Sequence, residues 1–470
     1  MLGFHRKALL VLALFATAGS ARANGRFPAA TGVVLNPSDP NHTLLRTTFG
    51  FIETTDGGQS WRWICEGAVG LNPSAANDPP LAVFSDGTTV IGVPYAGLRT
   101  SRDSGCSWEP TLELFANRFV VDMTPTPGDP RGTLVLAQRF VYSGNYDTLI
   151  AETRDSARTW TAVGTALPSN VIVETLEVAP SDPNRIYVSG QEIGVDSVPR
   201  AGVLLHSRDR GTSWQRATIP LPTNTATDGS LYTDAAAYIA AIDPRSADRV
   251  YVRFADNRSL PDSPAAVLVT SDRGATFHTL ARTAGPMLGF ALSPDGTQLS
   301  YGGPGPTGAP SDGMYIGDAP SGPFTKVADV QTRCLKWTGS GLYACATELR
   351  DSFTWGRYQA TARTSKGEPF VPLYERRKTC PLTCPAGTSV QAECPGAWSD
   401  VQTLLGAGLC SSAGGTGSGG SAGTGAGGSA GTGTGGSGSC SVSAARDPFV
   451  PVLAGFVLLV ASLRRRLLRR

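Results

Sequence analysis

The chain is short of histidine and of charge. Four His stand among 470 residues, His5 near the start and His42, His206 and His278 in different stretches, so a histidine-based metal centre is not expected. Charged residues make up 17% with a formal net charge of +2, which leaves no basic footprint for DNA or RNA. No nucleophile elbow, Walker loop or dinucleotide fingerprint occurs in a credible setting, and no cofactor is implied. Turn residues, in contrast, are plentiful: 56 Gly and 34 Pro imply many short elements. The length exceeds the usual single-domain range of roughly 100 to 200 residues, as repeat folds do.

The first 23 residues read as a secretory signal peptide, with His5, Arg6 and Lys7 ahead of an apolar stretch from Ala8 to Ala18 and a small-x-small site at Ala21-Arg22-Ala23. Cleavage there starts the mature chain near Asn24. The apolar stretch is too short for a membrane-spanning signal anchor. Export makes the nine cysteines disulfide candidates first.

One motif of the form S/T-x-D-x-G-x-S/T-W/F recurs five times in the sequence. Its Asp and aromatic residues are Asp56 and Trp61, Asp103 and Trp108, Asp155 and Trp160, Asp209 and Trp214, and Asp272 and Phe277; Ala157 replaces Gly in the third copy. Degraded copies follow at Asp318 to Phe324 and at Ser365 to Phe370, giving about seven units of roughly 50 residues. Ahead of each motif come an apolar strand such as Leu176 to Ala179, a Pro/Asp turn such as Pro180 to Asn184, and an alternating strand such as Arg185 to Ser189. A third strand runs into the motif and a fourth leaves from its aromatic residue. Four short antiparallel strands per unit predict an all-β propeller of seven four-stranded blades over residues 24–375. The Asp is expected to accept turn N–H groups, the Gly to supply a backbone conformation others avoid, and the Trp to pack on the hairpin.

These residues resemble the Asp-box, or bacterial neuraminidase repeat, of sialidases, sortilin-like receptors and photosystem assembly-factor-like propellers. The resemblance covers about Phe27 to Leu373 and implies the propeller fold; activity is not implied, because its members do unrelated things. Placing the motifs between strands 3 and 4 puts them on one face, with the loops joining strands 2 and 3 on the other. Those loops read as short in the first two units and long afterwards: Gln138 to Asp147, Gly190 to Gly202, Phe254 to Ala265, Gly302 to Gly313 and Ala346 to Arg357. They carry the candidate binding residues Arg139, Tyr142, Tyr146, Glu192, Asp196, Arg253, Asp256, Arg258, Asp351, Trp355 and Arg357. Aromatic platforms beside Arg and carboxylates suit sugars or acidic peptides; the plainer alternative is solvated loop residues without a ligand. Arg46, Arg139 and Arg253 each end a second strand and invite comparison with the sialidase arginine triad, and Arg26-Phe27-Pro28 is loosely similar to the Arg-Ile-Pro element of that family. No segment identifies the Tyr nucleophile, its carboxylate or the acid/base Asp that this chemistry requires.

Cys65 and Cys106 are placed to bridge adjacent blades, Cys334 and Cys345 to cross-link a hairpin of the last blade. Cys380, Cys384, Cys394 and Cys410 form a cluster in a Cys-rich segment, residues 376–410. Two local disulfides are the first expectation there, four zinc-binding thiolates the second. Residues 411–439 are almost wholly Gly, Ser, Thr and Ala, a flexible tether averaging about 30 Å end to end and stretching to roughly 100 Å. Residues 440–470 hold Cys440, an apolar run from Phe449 to Leu463 and a terminal arginine cluster, which the positive-inside rule keeps in the cytoplasm with the propeller outside. Cys, apolar segment and arginines after a Gly/Ser stalk resemble the MYXO-CTERM sorting signals of myxobacterial surface proteins. That resemblance implies a sorting protease as partner and Cys440 as the processing or lipid-attachment point, with the helix removed; a retained transmembrane helix is the alternative. The functional expectation is an exported, membrane- or surface-anchored module that binds a glycan, peptide or protein without catalysis. A secreted sialidase-type glycoside hydrolase and an inert envelope scaffold are the alternatives.

Overall fold

A computed structural model describes residues 28–410 apart from 74–77, 112, 143, 195 and 257–262. The leader, the tether, Cys440 with the terminal segment, and Arg258 lie outside the described residues. Seven four-stranded antiparallel sheets follow one another along the chain. Blade 1 spans 30–64, blade 2 81–111, blade 3 119–162, blade 4 171–219, blade 5 235–283, blade 6 289–328 and blade 7 334–374. A small hairpin, Asn224–Thr225 with Leu231–Tyr232, is inserted between blades 4 and 5. Because a blade is packed on both faces, its third strand can be buried end to end, as Ala265–Thr270 of blade 5 is.

The recurrent turn does what its residues require. Thr54 donates to Asp56 Oδ1 at 2.7 Å, Ser60 N–H and hydroxyl donate to the two Asp56 oxygens at 2.9 and 2.6 Å, and the Gly58 N–H donates to Thr54 Oγ1 at 2.9 Å. The same bonds recur around Asp209 and Asp272, where the Ser213 and Thr276 hydroxyls first, then the backbone, hold the carboxyls down at about 2. Each turn also lodges against the preceding blade. A Cβ on Gly105 would meet Ile64 of blade 1 at 2.6 Å, one on Gly274 would meet Ala217 of blade 4 at 2.7 Å, and Arg102 of blade 2 binds the carbonyls of Ser156 and Ala157. The motif is therefore a plug between blades as well as a hairpin staple.

Ring closure brings blade 7 against blade 1. The four blade strands of blade 1 are all N-terminal, and its Trp61 donates from Nε1 to the carbonyl of Leu373 in blade 7 while packing at a tilt against Tyr374, ring centroids 4.8 Å apart. The segment after blade 7 then crosses the seam. Thr379–Pro381 adds a fifth, parallel strand to Trp61–Trp63, Trp398 of the helix Pro395–Leu405 packs on Trp63 at 5.5 Å, and two long-range disulfides join Cys65 to Cys394 and Cys106 to Cys384. The Cys65–Cys106 bridge is not formed, nor are two local disulfides within the Cys-rich cluster, since Cys384 and Cys394 pair outside it. The reason is that the segment lies along blade 1, where its cysteines face the end of that blade and the turn of blade 2. Cys334 and Cys345 are bonded across their hairpin as expected. All eight described cysteines are disulfide-bonded, so no thiolate is left for zinc, and the covalent state fits an oxidising, exported setting. Among the described residues no helix is long and apolar enough to cross a membrane.

The disulfides enclose 329 and 278 residues, lengths at which a cross-link restricts the unfolded chain strongly. The Cys65→Ser/Cys394→Ser variant should lose about 2–5 kcal/mol of stability, and removal of Cys106–Cys384 as well should lower the melting temperature further. A circular-dichroism melt of the fourfold variant that matches the parent would show that the seam is held without the segment.

Candidate functional site

The loops joining strands 2 and 3 lie opposite the Asp-centred turns, as the blade topology demands. Two of the expected long loops are instead tall hairpins: Thr133–Tyr142 with Asn145–Thr153 in blade 3, and Asp182–Ile193 with Pro199–Ser207 in blade 4. On this loop face blades 2 and 3 present an aromatic shelf. Tyr95, Phe140 and Tyr142 are 53%, 51% and 65% exposed. Tyr95 meets Phe119 edge-on at 5.9 Å, and Phe140 meets its cross-strand partner Tyr146 at 5.6 Å. Burial and the neighbouring Tyr95 push the Tyr146 hydroxyl above its ordinary range. Tyr95 holds its ring outward from a turn with φ 58°, a left-handed conformation costly for a bulky residue. Beside the shelf Arg118 and Arg139 both donate to Asp147 at 2.8 Å. Burial raises the Asp147 pKa, but the two arginines outweigh it and hold the carboxyl below its usual value.

The second feature is the central channel, lined by the inner strands. Glu174 sits at a β-bulge in the inner strand of blade 4, where the pairing skips from Val173 to Thr175, a device that re-aims a side chain. It is buried, and burial lifts its carboxyl from 4.5 to about 8. Tyr238 of blade 5 lies near enough for Glu174 to raise its hydroxyl further, and Arg253 stands 5.5 Å over the Tyr238 ring while donating to the Met287 carbonyl. Lower in the channel Asp122 accepts N–H groups from Met123 and from Leu176 of the next blade, at 2.9 Å each. Glu177 accepts from Thr124, and burial together with Asp122 lifts it to about 8. Lys336 of blade 7 is depressed by burial against the pull of Glu177.

Of the residues expected from sequence, Arg139, Tyr142 and Tyr146 all lie on the tall hairpin of blade 3, Tyr146 against Phe140 and Arg139 with Asp147 at the next cross-strand position, on the alternate face. Most of the other described ones have partners elsewhere. Glu192 pairs with Arg216 and Asp196 with Arg200, each within its own region. Trp355 is 2% exposed and stacks on Tyr343 in the core between blades 7 and 1, so it supports the seam and offers no platform. Asp351 is buried and accepts the N–H groups of Gln331 and Thr347. Arg357 pairs in register with Tyr343 and Val371 on the outer part of blade 7, and Asp256 ends the second strand of blade 5. The three arginines compared with a triad are satisfied separately: Arg46 by the carbonyls of Thr31, Asp78 and Pro79, Arg139 by Asp147, Arg253 by Met287. Tyr95, Phe119, Phe140 and the channel carboxylates were missed. Only the placement of Phe140 two residues before Tyr142 offered a signal. Among the described residues no group of three or more His, Cys, Asp or Glu is placed to hold a metal ion.

No family model matches the chain. A stretch of 48 residues is 38% identical to the xyloglucanase Xgh74A of Acetivibrio thermocellus, covering 10% of this chain and 6% of that protein. Among solved structures, an ancestral GH74 enzyme superposes with a TM-score of 0.51 at 14% identity, over 75% of this chain and 47% of its own. The Hadza microbial sialidase Hz136 gives 0.38 at 16% identity, over 65% and 70% of the two chains. The chain therefore spans less than half of the GH74 enzyme. At such identities the likeness shows the propeller fold alone.

The channel carboxyls carry a pH signature. The unfolded chain releases the Glu174 proton near 4.5 and the folded chain keeps it to about 8, so the group's contribution to stability falls between those values and is level above them. Glu174→Gln should therefore melt near the parent at pH 5 and several degrees higher at pH 8.5. Melting curves at the two pH values test this; an equal shift at both would remove titration as the cause.

Proposed function

We propose that the protein is an exported surface module that binds carbohydrate chains through the aromatic shelf of blades 2 and 3. The observation that carries this reading is the exposure of Tyr95, Phe140 and Tyr142 together. Apolar ring faces in water cost free energy unless a ligand covers them. Pyranose rings offer flat C–H faces to stack on tyrosine and phenylalanine. The names of the GH74 and sialidase proteins that share the fold point to saccharides as well. The tether and terminal segment, with Cys440 as attachment point, would hold the shelf away from a membrane or outer surface. A second reading, glycoside hydrolysis, is favoured by the juxtaposition of Tyr238, Glu174 and Arg253 in the channel. Release of fluorophore from a sialoside, abolished by Tyr238→Phe, would support that reading over simple binding.

A glycan array followed by calorimetry on the best binder tests the main proposal. Tyr142→Ala and Tyr95→Gly should each weaken binding about ten-fold while leaving the melting temperature unchanged or, for Tyr95→Gly, slightly raised, since glycine tolerates the left-handed turn. Binding that survives both substitutions would sink the shelf as the site.

A further inference from the structure

The plugging of blade seams by the Asp-centred turns has an exception. In blades 1 to 5 each turn fills the turn-face groove against its predecessor, and the shorter turn of blade 6 still sets Ala319 and Phe324 on the core shared with blade 5. Blade 7 lacks the Asp, and its corresponding loop, 359–369, folds the other way. Glu368 accepts the N–H of Asp329 at 3.2 Å, Lys366 donates to the Leu349 carbonyl at 2.7 Å, and Ser365 donates to Ser352 at 3.0 Å. All three partners lie in segments of the loop face. The plug is thus withdrawn from the seam between blades 6 and 7.

What remains is a groove of about 540 Å³ between the two blades, within the size range of small-molecule sites. Trp337 and Tyr358 of blade 7 wall it, with Leu342 beside them, facing Ile316 and Val327 of blade 6. Trp337 pairs across its hairpin with Leu342, and Tyr358 is braced edge-on by Phe370 at 5.8 Å. At the rim stands Asp318, exposed, the one charged side chain of the lining. No ion pair engages it among the described residues. Aromatic walls attract a cation through their ring faces, and an unpaired carboxylate adds a full opposite charge.

We propose that this groove binds a small alkylammonium ligand, its cationic head between Trp337, Tyr358 and Asp318 and its carbon substituents on Leu342 and Ile316. The site is independent of the carbohydrate shelf on the opposite face.

The test uses the mature, disulfide-bonded protein and three probes: choline, its uncharged carbon isostere 3,3-dimethylbutan-1-ol, and glucose. Titration calorimetry and tryptophan fluorescence should show saturable choline binding, with the isostere weaker by about ten-fold or more. Asp318→Asn, at an exposed position that keeps the fold, should weaken choline about ten-fold and leave the isostere unchanged. Trp337→Phe keeps apolar filling and should also weaken choline, whereas Tyr142→Ala on the shelf should leave it untouched. Absence of saturable choline binding, equal affinity for the isostere, indifference to Asp318→Asn, or tighter binding of glucose than of choline would each overturn the proposal.

Discussion

A propeller is a closed ring, and everything it displays depends on the one seam where the last blade must meet the first. Here a C-terminal strand is added outside the four N-terminal strands of blade 1 and replaces none of them. Trp61 spans the seam by packing against Tyr374 and bonding the Leu373 carbonyl, and the segment beyond blade 7 crosses it to become the outer strand of blade 1. Two disulfides then convert a marginal docking of a short segment into a covalent closure.

The remaining seams are held by the repeat itself. A carboxylate bonded by a hydroxyl and turn N–H groups fixes two successive residues in the left-handed region, as at Arg210 and Gly211. The small residue of that pair then lets the turn approach the neighbouring blade closely. One local motif sets both the hairpin and the blade spacing. In blade 7, where the motif's Asp is absent, the loop folds away from the seam and a groove lies between blades 6 and 7.

The seven blades were legible because the motif is local and repeats in register; each copy carries its own turn chemistry within eight residues. The disulfide partners were not, since Cys65 and Cys394 are neighbours only after the ring closes. Trp355 reads as a loop aromatic but begins a strand whose side chain turns inward onto Tyr343. Length cannot distinguish a loop from a tall hairpin, so the stretches around Tyr142 and Glu192 looked irregular although they pair throughout. The shelf was half visible for a different reason: Tyr142 and Tyr146 lie close in sequence, whereas Tyr95 and Phe119 join them only because blades 2 and 3 are adjacent in space. Glu174 was hidden by a bulge, which shifts a side chain to the other face without leaving a compositional trace.

The fold therefore separates three chemical environments by construction. Loop-face hairpins grow without disturbing the blades, because their bases are fixed by strand pairing, and they can raise aromatic rings clear of the ring. The channel takes whatever the inner strands point at it, and its walls keep carboxyls such as Glu174 and Glu177 protonated near neutrality. On the turn face the Asp-centred turns of blades 2 and 5 lodge closely against the preceding blade. A neutral aromatic surface favours ligands with flat apolar faces, while a groove whose only charge is a carboxylate favours cations. Those preferences follow from which blades kept the motif and which hairpins lengthened.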